Sequence, residues 1–81
     1  MKNNDKEDNT FTWGDPVLVK KSAPQSYLPG EFASICGITK VTTEKLANFY
    51  HSEINTWVYT IEYENGSSIE IPERYLEEYE E

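Results

Sequence analysis

Apolar and polar residues alternate most clearly over residues 56–64, TWVYTIEYE. There Trp57, Tyr59, Ile61 and Tyr63 fall on one face of a strand, and Val58, Thr60, Glu62 and Glu64 on the other. Asn65-Gly66 follows as a hairpin signal, and the alternation chooses its register. A two-residue loop would set the polar Glu62 against Ile69, which a sheet with one buried face resists. A three-residue loop, Glu64-Asn65-Gly66, sets Tyr63 against Ser67, Ile61 against Ile69 and Tyr59 against Ile71, with Gly66 in the left-handed conformation such a loop requires. The pattern therefore predicts a bulged hairpin.

Pro72 lacks an N–H and ends the second strand of that hairpin. Pro72-Glu73-Arg74-Tyr75 has the length of one tight helical turn, and residues 76–79 can supply a last strand. Upstream, Gly14-Asp15-Pro16 marks a turn, and Val17-Leu18-Val19-Lys20-Lys21 reads as a short strand with Val17 and Val19 inward. Residues 22–30 contain Pro24 and Pro29-Gly30 and read as an exposed loop around Tyr27. Residues 31–42 read as a long strand with Ala33, Ile35 and Val41 on its core face, and Gly37 inside it signals a bulge or bend. Over residues 43–55, Leu46, Phe49 and Tyr50 have helical spacing and Thr43 can cap a helix start, so a helix of one to two turns and a wide loop both fit. Residues 1–10 carry no apolar residue after the initiator and are expected to be a flexible tail, with order beginning at Phe11 and Trp13.

Length and composition restrict what such a set of strands can be. The chain has 81 residues, 37% of them hydrophobic and 14% aromatic, which allows one domain, expected over residues 11–81, with a compact core and modest stability. The net charge of −8 repels phosphate backbones, so nucleic acid is not an expected partner, and it would attract a basic protein surface; with no apolar run at the polar start of the chain, a membrane is not an expected partner either. Cys36 is the only cysteine, which rules out an intrachain disulfide. The polar start of the chain has no signal-peptide pattern, and a cytoplasmic, monomeric protein is expected.

Four segments carry a resemblance. They are Gly14-Asp15-Pro16-Val17-Leu18-Val19, Pro29-Gly30-Glu31-Phe32-Ala33-Ser34-Ile35, Tyr59-Thr60-Ile61-Glu62-Tyr63-Glu64-Asn65-Gly66 and Ile69-Glu70-Ile71-Pro72-Glu73-Arg74-Tyr75-Leu76. Their order resembles the SH3-like barrel: all-β, five short strands, a long first loop and a tight helical turn before the last strand. Residues 43–55 form an insertion, short helix or loop, between strands 2 and 3 that compact barrels lack. The hairpin YTIEYENG and the ending SIEIPERYLEEYE further resemble small acidic bacterial proteins predicted to be immunity proteins of polymorphic toxin systems. That resemblance implies a protein that binds and blocks a cognate toxin without chemistry of its own.

Residues able to do chemistry are few and isolated. His51 has no second His or Cys at metal-ligand spacing and no triad context, so it reads as a surface histidine. Cys36 lies in a strand with no basic neighbour in sequence and reads as a buried, inert thiol. Glu62 and Glu70 point outward from the hairpin, and a barrel without a deep cleft cannot desolvate such a pair for acid–base work. No catalytic residue, metal or cofactor is expected.

Binding is the function that remains. Tyr27 in the first loop, and Phe49 and Tyr50 outside the strands, are the candidate aromatic contacts; Glu62, Glu70 and Glu73 are the candidate acidic ones. Trp57 reads as core. The rival readings are an adaptor that grips a linear peptide beside Tyr27, and a nucleic-acid or ribosome-associated barrel. The latter would need Lys20, Lys21, Lys40 and Lys45 on one face.

Overall fold

The computed structural model describes residues 10–79. Five strands, β1 (Pro16–Val19), β2 (Phe32–Lys40), β3 (Trp57–Tyr63), β4 (Ser68–Pro72) and β5 (Leu76–Glu78), form one antiparallel sheet in the order β4-β3-β2-β1-β5. Every neighbouring pair is antiparallel, and β4 and β5 are the two ends, so the sheet is not closed by pairing. One short helix, α1 (Glu44–Tyr50), lies between β2 and β3, and 3-10 turns occupy Gln25–Tyr27 and Glu73–Tyr75.

The β3–β4 hairpin has the register that alternation selects. Ile61 pairs with Ile69 and Tyr59 with Ile71, Tyr63 N–H donates to Ser67 O at 2.8 Å, and Gly66 turns at φ 92°. The inward residues of three strands, Val17, Val19, Ala33, Ile35, Trp57, Tyr59, Ile61 and Tyr63, are buried with Ile71 and Leu76 in a single core. Phe11 closes over it, its ring meeting that of Tyr59 edge to face at 5.5 Å.

Gly37 marks a bulge. Ile35 pairs with Ile61 but Gly37 with Thr60, so Cys36 is an extra residue on β2. The inserted residue reverses the parity of the strand: Ala33 and Ile35 face the core before it, Ile38 packs against the core after it, and Cys36 is exposed. The expectation of a buried thiol is thus overturned: Cys36 follows the inward Ile35, so alternation turns it outward, and the bulge leaves no residue of β3 opposite it.

Three further expectations are corrected. The first strand stops at Val19 because Lys20 N–H donates to Tyr75 O and Lys20 O accepts from Ala23, which turns the chain. Residues 22–30 are not purely an exposed loop: Ala23 is buried, and Tyr27 N–H donates to Pro24 O within the first 3-10 turn. Val58, assigned to the outer face, is fully buried. It pairs with Pro72, which together with Ala47 of α1 lines one groove. Val41, expected in the core, is buried but outside the main cluster, just beyond the end of β2.

Residues 43–55 resolve in favour of helix. Thr43 Oγ1 accepts from Leu46 N–H at 3.2 Å, and His51 ends the helix in the left-handed region at φ 56°. No residue of α1 is fully buried, so its position depends on contacts at its ends and along one side. Of the expected tail, residues 1–9 lie outside the described residues, while Thr10 N–H donates to Glu73 Oε2 at 2.9 Å.

Candidate functional site

The outer face of the β3–β4 hairpin carries Glu62 and Glu70, both exposed. Register places Glu70 beside Thr60 and Glu62 beside Ser68, so the two carboxylates stand on a diagonal of one ladder. The end of α1 adjoins this face. Tyr50 hydroxyl donates to Glu70 Oε2 at 3.3 Å, and the Phe49 ring meets Tyr50 edge to face at 4.9 Å while remaining 68% exposed. Partial burial, and then the neighbouring Glu70 carboxylate, raise the Tyr50 phenol above its ordinary pKa. An exposed apolar ring, a phenol and two carboxylates are therefore assembled on adjoining elements.

Glu73 and Tyr27 do different work. Glu73 Oε2 accepts from Tyr59 hydroxyl at 2.7 Å as well as from Thr10 N–H, fastening the segment before β1 to the second 3-10 turn. Tyr27 is half-buried: its ring lies 5.6 Å from that of Tyr75, and its carbonyl accepts from Tyr63 hydroxyl at 2.7 Å. Desolvation, then the Tyr75 phenol, raise the Tyr27 pKa, with Arg74 opposing. Of the six candidate residues, Phe49, Tyr50 and Glu70 are brought together, Glu62 lies next to them on the sheet, and Glu73 and Tyr27 are held inside hydrogen-bond networks of the fold.

A groove of about 770 Å³ runs between α1 and the second 3-10 turn, lined by Ala47, His51, Ser52, Trp57, Pro72 and Arg74 among others. Arg74 spans it, donating from Nη2 to His51 O at 2.8 Å and from Nη1 to Ser52 Oγ at 3.4 Å, and its guanidinium stacks 4.7 Å from the Tyr75 ring. Trp57 is core, 9% exposed, as its place in the alternation implies, and the Lys40 ammonium sits 5.5 Å from its ring centre. Its Nε1 is buried and has no hydrogen-bond acceptor among the described residues. Sequence reasoning missed this groove, because it forms only where the inserted helix meets a turn more than twenty residues further along. The one available signal was Arg74, a lone cation in an acidic ending.

His51 is exposed, and among the described residues no group of three or more His, Cys, Asp or Glu could hold a metal ion. No described helix is long and apolar enough to cross a membrane. Compared with protein-family models, curated proteins and solved structures, the chain matches none.

Proposed function

We propose that this chain is a non-catalytic protein-binding module of the SH3-like kind, acting as an immunity protein that binds and inhibits a cognate bacterial toxin in the cytoplasm. The strand order β4-β3-β2-β1-β5, with a 3-10 turn leading into β5, supports the SH3-like part of the reading. The observation that carries protein binding is the cluster at the end of α1: Phe49 exposed and edge to face with Tyr50, and Tyr50 bonded to Glu70 on a face shared with Glu62. A ring held by a second ring loses little freedom on binding, and carboxylates around it select a basic partner. The resemblance in YTIEYENG and SIEIPERYLEEYE directs the choice of partner to a toxin. Inhibition would be occlusion of the toxin's basic surface.

The test is to sequence the genes flanking this one, co-express the chain with a toxin domain found there, and titrate the purified pair; flanking genes without a toxin would overturn the immunity reading. Growth rescue and a stable complex are expected. Glu62→Lys with Glu70→Lys should weaken the complex by about tenfold or more and flatten its salt dependence. Binding unchanged by both reversals would remove this surface from the interface.

A second reading has its own observation. The groove between α1 and the second 3-10 turn has Trp57 and Pro72 at its base and Ala47, His51 and Arg74 along it, a cleft an extended peptide could enter. An adaptor of that type would show perturbation of the Trp57 indole by proline-rich peptides, and no effect of the Glu62 and Glu70 reversals.

A further inference from the structure

The main chain of β4 has a free side. Tyr63 N–H bonds Ser67 O, and the pairs Ile61–Ile69 and Tyr59–Ile71 follow in the same register. In an antiparallel ladder the main-chain groups point alternately toward and away from the neighbour. Those of Ser67, Ile69 and Ile71 therefore face β3, and those of Ser68 and Glu70 face outward. β4 ends the sheet on that side, and no described residue bonds the Ser68 or Glu70 amide. Two amides and their carbonyls, spaced by a two-residue strand repeat, are thus available to a sixth strand until Pro72 stops the ladder.

The side chains bordering this edge specify the occupant. On the outer face stand Glu70 and Ser68, with Glu62 one strand further in; on the inner face stands Ile69, half-buried against the core. A second copy of this chain would bring Glu70 or Ser68 against Glu70 in a molecule already at −8, and like charges on facing strands are destabilising. A strand with Lys or Arg on one face and small apolar residues on the other meets the carboxylates and extends the cover over Ile69.

We propose that β4 receives an extended, alternately basic and apolar segment of a protein partner by strand addition. The proposal rests on the protein-binding reading and deepens it, since it names the form in which the partner's basic surface is presented. Phe49 and Tyr50 stand beside the same edge through the bond to Glu70, where they can grip the segment's neighbouring residues.

The test uses the full chain, labelled with 15N, and a blocked ten-residue peptide of alternating lysine and valine. Three comparison peptides accompany it: the same composition with lysines and valines in separate blocks, a glutamate–valine alternation, and the lysine peptide N-methylated at every second residue. Binding of the alternating lysine peptide is expected to slow exchange of the Ser68 and Glu70 amides about tenfold at nine-tenths saturation. Glu70→Lys, at an exposed position that leaves the core untouched, should lower its affinity about fivefold or more, and N-methylation on the edge-facing residues about tenfold. Equal binding of the block peptide would reveal simple charge attraction and overturn strand addition. So would unprotected Ser68 and Glu70 amides, or no binding at millimolar peptide. Protection centred on the groove beside Trp57 instead would sink the strand mode while leaving a protein-binding module. The protein-binding reading itself falls only with the toxin titration.

Discussion

Tyr59 is wholly enclosed, yet its phenol oxygen is bonded twice: it donates to Glu73 Oε2 and accepts from Phe11 N–H at 3.2 Å. Burial is the main cause that pushes this phenol up from its ordinary pKa, with the Phe11 amide opposing and the Glu73 carboxylate adding to the rise. Tyr63 is raised by burial and then by Glu31 and Tyr27. A raised phenol favours the neutral form in the fold. Its stabilisation is complete below about pH 10, the unfolded value, and is lost as pH climbs beyond it, because the unfolded chain releases a proton the folded chain retains. Tyr59→Phe should therefore do two things. It should cost about 1–3 kcal/mol at neutral pH through the lost bond to a carboxylate, and it should flatten the decline in stability above about pH 10. Urea unfolding at a series of pH values reads both, and parallel curves for the two proteins would contradict the assignment. Of all this the sequence showed only that Tyr59 faces inward. The carboxylate partner comes from fourteen residues away, and only the path of the chain through β4 brings it there.

At the scale of elements, the bulge in β2 decides which residues serve the core. A Cβ added to Gly37 would lie 2.9 Å from Thr60 Oγ1 and 3.0 Å from its Cβ, closer than atoms pack without displacement. Gly37→Ala is expected to destabilise by about 1–3 kcal/mol, since a short β-branched side chain in the central pair of strands cannot swing aside. Adding Thr60→Ala should recover part of that loss by removing the nearest atom, and a double-mutant cycle in urea measures the coupling. Additive costs would show that Gly37 is needed for backbone freedom rather than for space. The hairpin and the bulge position were both legible, because glycine and alternation are local signals. The reversal of parity after the bulge was legible in principle, and so was the exposure of Cys36: it was assigned to the interior because free thiols are usually buried, although alternation from the inward Ile35 already turns it outward.

The chain carries −8, and its described residues have a radius of gyration of 12.4 Å, close to the screening distance of about 10 Å at 0.1 M salt. Two of its cations are engaged with uncharged groups: Arg74 bonds His51 O and Ser52 Oγ, and Lys40 lies over the Trp57 ring. Self-repulsion should dominate at low salt. Raising sodium chloride from about 0.01 to 0.5 M is expected to stabilise the fold by about 1 kcal/mol, raising the thermal midpoint by roughly 4–8 °C. A lowered midpoint would mean that attractive pairs outweigh repulsion. The same field would attract a basic protein surface, so the salt that stabilises the free protein should weaken the proposed complex.

Alternation, glycine and proline determined by themselves a mostly β chain, its hairpin register and the turn after Pro72, because each of these is decided between residues close in sequence, while residues 43–55 stayed open between helix and loop. Tertiary structure alone decided what lies over the sheet. It buried Val58 on the outer face, tied Glu73 to Tyr59, left the β4 edge unpaired and gathered Phe49, Tyr50 and Glu70 into one surface. Those outcomes depend on distances between segments remote along the chain, which periodicity does not encode.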